Sequence, residues 1–535
     1  MITTEDIADV LELTGKLLEL HNENPFKVKA INNAAYKLAK TRLDLDNLSI
    51  EELCQIDGVS KSIADKILSI INTGTTPELQ ELRAKTPEGV IDMLGVKGLG
   101  PKKVKLLWDG LAIESVTDLL YACHENRLIE LKGFGIKTQN SIIENIEFKL
   151  RSAGKFHYAY AEKVTKPIIE KLLKKNVLVS YTGAMYRKCE IIDEVDILIG
   201  EDFIDLDEFE SEQVPINFIT CSAMLFYRTL VETSSTKDHL KGIDFDSLPI
   251  KVYKTEASIY QTLNVQYCEP ELREGLFEID KAKNNSIPKL IDASDLKGIL
   301  HNHTTYSDGL NSLEEMATYC KQLGYDYLGI CDHSQTAGYA GGLKVDAVLL
   351  QQQEIDTLNK KLFPFKIFKG IESDILGNGN LDYETDILKT FDFIVASVHS
   401  NLGMDEEKAT TRLLKAIENP YTTILGHPTG RLLLGRSGYP INHKKIIDAC
   451  AANNVVIELN AHPYRLDIDW RWIPYCLEKN VMIAINPDAH QLKGYHDMNY
   501  GVNVARKGLL TKEMCFNALS LQEIENVFLK KRNAF

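Results

Sequence analysis

The sequence predicts a multidomain protein of α plus α/β class, helical in its first third, mixed in its middle and closed by a parallel β/α barrel. Three observations predict it. The chain has 535 residues, and at ~100–200 residues per domain that length holds several. Its first third repeats a glycine-bearing turn followed by a segment of helical period. Its last part carries seven short apolar runs: Lys297–Leu300, Tyr327–Cys331, Lys366–Ile371, Phe393–Val398, Thr423–Gly426, Val455–Leu459 and Val481–Ile485. Runs of that length are buried strands, and each is followed by a side chain able to hold a metal.

Composition sets bounds on these parts. With 44% hydrophobic and 26% charged residues the chain is an ordinary globular one. No apolar run reaches the ~18 residues of a membrane span. The start, Met1-Ile2-Thr3-Thr4-Glu5-Asp6, has no basic stretch leading into an apolar one, so no signal peptide is expected. The ten cysteines are scattered without a C-x-x-C pair, which predicts free thiols in a reducing compartment, the cytoplasm. A net charge of −15 argues against a general coat of nucleic acid, while leaving room for local basic patches.

The repeated turns are Ile56-Asp57-Gly58-Val59-Ser60-Lys61, Val96-Lys97-Gly98-Leu99-Gly100-Pro101-Lys102-Lys103 and Leu131-Lys132-Gly133-Phe134-Gly135-Ile136-Lys137. Glycines let a backbone approach closely, N–H groups at a helix start point outward, and lysines add charge, a combination suited to phosphate. No base edge is read this way, so binding is insensitive to sequence. These segments resemble helix-hairpin-helix motifs, with Gly58, Gly98, Gly100, Lys102, Lys103, Gly133, Gly135 and Lys137 as the candidate DNA contacts. The first copy has Ser60 where the second glycine is expected. Upstream, Asn24-Pro25-Phe26-Lys27-Val28-Lys29-Ala30 resembles the start of the small helical domain of family-X DNA polymerases. The expected division is a helical DNA-binding domain over 1–90 and a fingers-like helix-hairpin-helix region over 91–150.

In the middle, Val177–Ser180 and Val195–Ile199 are expected strands flanking Thr182–Lys188. This arrangement resembles the palm and thumb of the family-X nucleotidyltransferases, expected over 151–280. That family carries Gly-Ser, an Arg pair, Asp-x-Asp and a third Asp, because two divalent ions must grip the triphosphate and the attacking hydroxyl. Here Ala184 stands for Ser, Tyr186 for the first Arg and Glu194 for the first Asp. Asp196 matches, and Asn217 occupies the place of the third Asp. Ser234–His239 is a blurred form of the family's Thr-Gly-Ser-Lys-x-His stretch, and Leu272-Arg273-Glu274-Gly275 resembles the module's tail. Glu194 and Asp196 therefore form a residual polymerase site, in a module expected to bind DNA but to incorporate nucleotides poorly or not at all. The polar stretch 281–297 is expected to be a linker.

The last domain, 298–535, carries the strongest signal. In Leu300-His301-Asn302-His303, two histidines at i and i+2 on a strand point the same way and can share an ion. Ser312 and Glu315 form a capping-box pattern. Leu313, Met316, Ala317, Cys320 and Leu323 then mark one helix face, and Gly324 ends the helix. Asp332-His333 follows the next strand, then Glu372, His399, His427, Asn460 with His462, and Asp488 with His490. Only four of the thirteen histidines precede residue 301. Side chains at the carboxyl ends of parallel barrel strands converge on one mouth, so a multinuclear metal centre is expected.

This part resembles a PHP (polymerase and histidinol phosphatase) domain, a distorted (β/α)7 barrel, and the whole chain resembles bacterial family-X DNA polymerases with a fused PHP domain. The resemblance implies nine metal ligands: His301, His303, Asp308, His333, Glu372, His399, His427, Asp488 and His490. It implies that Glu372 bridges two ions, with His301, His303 and Asp488 on the first and His399 and His427 on the second. Asp308, His333 and His490 would hold a third. Glu372, Asp488 and His301 are the expected catalytic core, and Arg431 and Arg465 are candidates for binding a neighbouring phosphate. Mixed N/O donors suit manganese, zinc or iron. Manganese is the usual activator of DNA-degrading relatives, and magnesium enters only with an active palm. The expected activity is metal-dependent DNA phosphodiester hydrolysis, a 3′–5′ exonuclease with abasic-site cleavage as an extension, in DNA repair. The expected partner is gapped, nicked or 3′-ended DNA, bound by a monomer that does not associate with membranes. Gap-filling synthesis and a small-molecule phosphatase of histidinol-phosphate type are the alternatives.

Overall fold

The computed structural model describes residues 4–38, 49–56, 58–129, 131, 133–152, 154–202, 205–206, 209, 211 and 213–533. Asp57 and Lys132 of the repeated turns lie outside the described residues. The chain divides into two compact units, Met1–Glu147 and Phe148–Phe535. Among the described residues no helix is long and apolar enough to cross a membrane.

The first unit is helical throughout its described length. Its three turns share one backbone geometry. The N–H of Val59, Leu99 and Phe134 each donates to the carbonyl three residues back, at 3.0, 3.0 and 2.9 Å. Gly58, Gly98 and Gly133 sit at φ of +86°, +92° and +93°, a region in which a side chain is strained. Val59, Leu99 and Phe134 are buried and anchor the turns. The next position does not demand glycine: Ser60 and Gly100 both start their helices in extended backbone, φ −80° and −89°.

The second unit opens with a short antiparallel pair, β1 (Phe156–His157) on β3 (Ile191–Ile192). Beside it lies a sheet in the order β2 (Val179–Tyr181), β4 (Val195–Ile199), β5 (Ile216–Thr220). β2 runs antiparallel to β4, and β5 runs parallel to it with Asn217 opposite Asp196. The alternate residues Val195, Ile197 and Ile199 pack with Phe156, Met185 and Phe209 into one apolar core, as the period of 2 requires.

Two parallel sheets follow. β6 (Gly298–Ile299), β7 (Tyr327–Ile330) and β8 (Lys366–Lys369) form one. β9 (Glu372–Asp374), β10 (Val395–Ser397), β11 (Ile424–Leu425), β12 (Val456–Asn460) and β13 (Ile483–Asn486) form the other, in that order. Single parallel bridges link their edges, His333 to Glu372 and Asn302 to Ala489. Each of the seven apolar runs contains a strand. The capping box is present, with Glu315 Oε2 accepting from Ser312 N at 2.8 Å. The helix Leu313–Gln322 buries Leu313, Met316, Ala317 and Cys320, whereas Leu323, expected on that face, is 38% exposed. It is the C-cap residue, where the chain leaves the helix before its face meets the sheet. The stretch 281–297 is packed: Leu290, Ile291 and Leu296 are buried, and Ile291 N donates to Leu510 O at 2.8 Å.

The β2–β4–β5 region is fastened to the parallel sheets. Lys507, 1% exposed, donates to Glu274 at 2.6 Å and to Arg187 O at 2.9 Å, and Arg187 reaches Glu274 at 3.3 Å. His157 Nε2 lies 3.1 Å from Leu433 O, and its ring packs 4.1 Å from that of Tyr464.

Candidate metal centre

The nine expected ligands come together beyond the carboxyl ends of the parallel strands. His301 and His303 follow β6, His333 follows β7, Glu372 opens β9, His399 follows β10 and His427 follows β11. Asp488 and His490 follow β13, and Asp308 lies in the loop before the helix Leu313–Gln322. All nine side chains are 10% exposed or less. Two of them leave their strands through backbone at positive φ, Asp488 at +52° and His427 at +21°. Such strain in non-glycine residues persists where surrounding structure over-determines it.

Glu372 is the hub. Its Oε1 lies 3.3, 3.1 and 3.0 Å from the Nε2 atoms of His301, His399 and His427, and its Oε2 lies 3.0 Å from His333 Nδ1. Asp488 Oδ1 is 2.9 Å from His303 and 3.4 Å from His301. Asp308 faces His490 at 3.3 Å, His333 at 3.5 Å and His303 at 3.8 Å. Three sets have donor atoms within 4.8 Å of one another: His301, His303 and Asp488; His333, Glu372 and His399; and His303, Asp308, His333 and His490. His303 and His333 thus each stand between two sets, and His427 joins through Glu372 alone.

These atoms suit divalent cations. His301 Nε2, both ring nitrogens of His333 and Glu372 Oε2 are buried without a well-formed hydrogen bond. Lone pairs crowded together in a protein interior repel, and buried polar atoms normally find a partner. A cation satisfies several at once. Burial would push Glu372 up, yet His399, His301 and His333 hold it well below the usual carboxylate range. Burial, together with His490 and His333, pushes His303 down to about 3, leaving a neutral imidazole with a lone pair to give. Burial opposes protonation of His399, but Glu372 and Asp374 raise it to about 9.

Carboxylates and amides behind the ligands orient them. Asp374 accepts from His399 Nδ1 at 2.5 Å, and Asn460 Nδ2 donates to Asp488 Oδ2 at 3.0 Å. Asp332 gathers Thr304 and Ser307, which shape the loop bearing Asp308. Of these, Asn460 is one of the strand-end residues singled out in the sequence, as an expected tip rather than a support; Asp374 is not among the expected residues, although it shares the strand face of Glu372 by the period of 2. His462 stays outside the three sets, its Nδ1 accepting from Tyr464 N at 3.2 Å. His443 stacks on Trp472, and His496 contacts Tyr319, both away from the cluster.

Arg431 does not offer an open fork. Its Nε donates to Arg465 O at 3.0 Å, one terminal nitrogen pairs with Asp469 at 2.6 Å, and the other bonds Leu466 O. It braces the loop that presents Arg465, which is itself buried.

In the β2–β4–β5 sheet the geometry differs. Asn217 Nδ2 donates to Asp196 Oδ1 at 2.8 Å. The other oxygen of Asp196 covers Gly183, where a Cβ would lie 2.2 Å from it. Glu194 is exposed at the start of β4. Tyr186 bonds Glu256 at 2.7 Å, and Arg187 is held by Glu274 and Ser234 O. Among the described residues no set of three potential metal ligands forms around Asp196.

In the first unit, space around Gly98, Gly100, Gly133 and Gly135 is open, so another backbone can approach. A Cβ on Gly58 would meet Lys37 and Asn33 at 3.1–3.2 Å, so the first turn is covered. Lys102 and Lys137 are exposed, whereas Lys103 donates to Gly98 O at 3.3 Å.

Comparison with known proteins agrees with this division. Residues 3–76 match a helix-hairpin-helix domain, 90–147 a SAM-like helix-hairpin-helix tandem and 300–462 a PHP domain. The chain is 31% identical to the DNA polymerase/3′-5′ exonuclease PolX of Bacillus subtilis (strain 168), over 99% of this chain and 100% of that protein. It is 28% identical to a probable phosphatase of Clostridium novyi (strain NT), over 36% of this chain and 78% of that one. A probable phosphatase of Thermoanaerobacter sp. (strain X514) is 27% identical, over 42% and 91%.

Proposed function

The chain belongs to the family of the PolX DNA polymerase/3′-5′ exonucleases, and from that membership we propose that it is a metal-dependent DNA phosphodiesterase trimming 3′ ends, with synthesis weak or lost. One observation carries the reading: nine buried residues with nitrogen and oxygen donors form one cluster with Glu372 as its hub, both of whose oxygens face imidazoles. We take the two parallel sheets as a closed seven-strand barrel, counting β8 and β9 as one strand interrupted at Gly370 and Ile371, with 298–535 as its domain. The helical regions 1–90 and 91–150, the palm and thumb over 151–280 and the connecting segment 281–297 precede it.

When bound, divalent ions at such a site supply an activated water and offset charge developing on phosphoryl oxygens. His301, His303, Glu372, Asp488, His399, His427, Asp308, His333 and His490 would hold them. Manganese is our first choice, with zinc or iron as alternatives. Glu372 stays anionic in its ring of imidazoles and so keeps lone pairs on two sides. Arg465, whose carbonyl is held by Arg431, is the candidate we keep for the adjacent phosphate. Buried strand-end residues exclude bulk water from the reacting phosphorus. The water oxygen joins phosphorus, the bond to the 3′ oxygen breaks, and the proton balance ends with that hydroxyl protonated.

The open turns around Gly98, Gly100, Gly133 and Gly135, with Lys102 and Lys137, would hold the DNA backbone without reading bases. Gapped, nicked or 3′-ended DNA is the substrate we infer, met by a monomer in the cytoplasm, and the free state of all ten cysteines supports that compartment.

The test is incubation of purified protein with labelled gapped DNA, with and without nucleotides and manganese. Manganese-dependent shortening, absent after chelation and in Glu372→Ala while DNA affinity persists, is the expected result. Shortening by Glu372→Ala at the wild-type rate overturns it. Hydrolysis of small phosphate monoesters with none of DNA would move the chain to the phosphatases that its last part resembles.

A further inference from the structure

Glu458 is buried to 0% exposure in β12, yet it belongs to no candidate ligand set. A buried carboxylate needs compensation, since leaving it unpaired is among the costliest features a protein interior can carry. Here both oxygens are used. Oε1 accepts from His301 Nδ1 at 2.7 Å and from Asn486 Nδ2 at 3.1 Å, and Oε2 accepts from the backbone N–H of His427 at 2.8 Å. Neither oxygen is left over for a cation.

These bonds reach two ligands on two different strands. His301 follows β6 and His427 follows β11, while Glu458 stands on β12, next to β11 in the sheet. A proton on His301 Nδ1, directed to Glu458, leaves Nε2 as the lone pair facing Glu372 and Asp488, 3.3 and 3.4 Å away. At His427 the bond pins the N–H of a residue at φ +21°. Gly426, just before it, has no room for a side chain: a Cβ would lie 2.3 Å from Ser397 Oγ and 3.5 Å from Glu458 Oε2. Asp374 does the first of these jobs for His399 but touches no second ligand.

We propose that Glu458 is the positioning residue of the centre, fixing the ring of His301 and the backbone of His427 together so that both Nε2 atoms meet at Glu372. The proposal rests on the metal-centre reading above. Outer carboxylates of this kind typically tune metal affinity by ~10–100-fold. One that serves two ligands should reach the upper part of that range.

The experiment measures Mn²⁺ affinity of the chelator-treated full chain by competition with a chromophoric chelator. Glu458→Gln keeps the shape but leaves one acceptor where two are used. The expected result is a dissociation constant raised at least ~10-fold, with the metal-free variant melting as a folded protein. Affinity within threefold of wild type overturns the role of Glu458 while leaving the centre intact. Absence of Mn²⁺ binding by wild type removes the centre and this role together. Should Glu458→Gln not fold, the wild-type chain still decides. Loaded with Zn²⁺ as a diamagnetic probe and labelled with ¹⁵N-histidine, it should show His301, assigned by its loss in His301→Gln, bound through Nε2 and protonated at Nδ1. Coordination through Nδ1 overturns the proposal.

Discussion

Two carboxylates in this molecule each stand on a strand with a parallel neighbour, in separate sheets, and have opposite surroundings. Asp196 in β4 faces an amide, Asn217 of β5, which donates a proton to it, while its second oxygen is packed over Gly183. Glu372 in β9 faces imidazole nitrogens on both oxygens, several without a well-formed hydrogen bond. A carboxylate becomes a ligand when its neighbours also bring lone pairs, and a structural group when they bring protons. In the β2–β4–β5 sheet the amide of Asn217 brings a proton to Asp196, the second course. The strand ends of the last domain have kept the first.

The widest separation between the two should appear in hydrolysis. Asp488→Asn removes a charge from the donor set and should lower phosphodiester cleavage by about 10³-fold, since ions at such centres supply several kcal/mol of transition-state stabilisation. Asp196→Asn should leave the rate within twofold. Single-turnover trimming of a labelled 3′ end in manganese measures both. Equal losses would mean that the palm carboxylate also serves hydrolysis, and the contrast would be broken.

The seam between the regions gives the next effect. His157 of β1 is buried against Leu433 and Tyr464, and burial pushes it down to about 4. Folded, it is neutral; unfolded, it takes up a proton below its ordinary value of 6.5. In that window the unfolded chain binds more protons, so stability falls as pH falls and levels off below about 4. The loss amounts to about 3 kcal/mol. Urea unfolding of the second unit from pH 7 to 4 should show it in wild type and not in His157→Gln, after each is referred to its own value at neutral pH. Parallel curves would show that the β1–β3 region is not held to the parallel sheets through this ring.

The parts legible in the sequence were those with a period or a repeat. Seven apolar runs place seven of the eight parallel strands, all but β9, and Ser312 with Glu315 places a helix start, because these signals are local. Eight of the nine metal-competent residues stand out because histidines and carboxylates recur at strand ends, whereas Asp308, in a loop, is reached only through the resemblance to PHP domains. Side chains whose role depends on a partner far along the chain were not legible. Glu458 acts on His301, 157 positions away, and Lys507 acts on Arg187, 320 away. Arg431 shows the reverse case: its residue type suits phosphate, but its nitrogens are spent on Arg465, Leu466 and Asp469. Leu323 fits a helical period and still faces solvent, since the helix ends beneath it. The stretch 281–297 is polar in sequence, and its apolar residues Ala282, Leu290, Ile291 and Leu296 are the ones that are buried.

Asn217→Asp probes the contrast at its source, with the smallest effect. The substitution restores the acidic residue expected from the nucleotidyltransferase pattern and places it beside Asp196 in parallel register. The 2.8 Å hydrogen bond becomes a pair of like charges. Asn217 is exposed, so water and salt screen the repulsion, and about 1 kcal/mol of stability should be lost at low ionic strength. The loss should shrink as salt rises, because the charges lie near the surface. Millimolar Mg²⁺ should recover little of it, for Glu194 stands exposed at the strand start and the far oxygen of Asp196 remains packed over Gly183. Melting curves with and without Mg²⁺, beside primer extension on gapped DNA, measure both sides. Full recovery by Mg²⁺ with robust nucleotide incorporation would show a palm one residue short of an active site. No incorporation together with a salt-sensitive loss would show that the neighbouring strands have been rebuilt around the amide, and that one restored carboxylate cannot by itself make lone pairs converge.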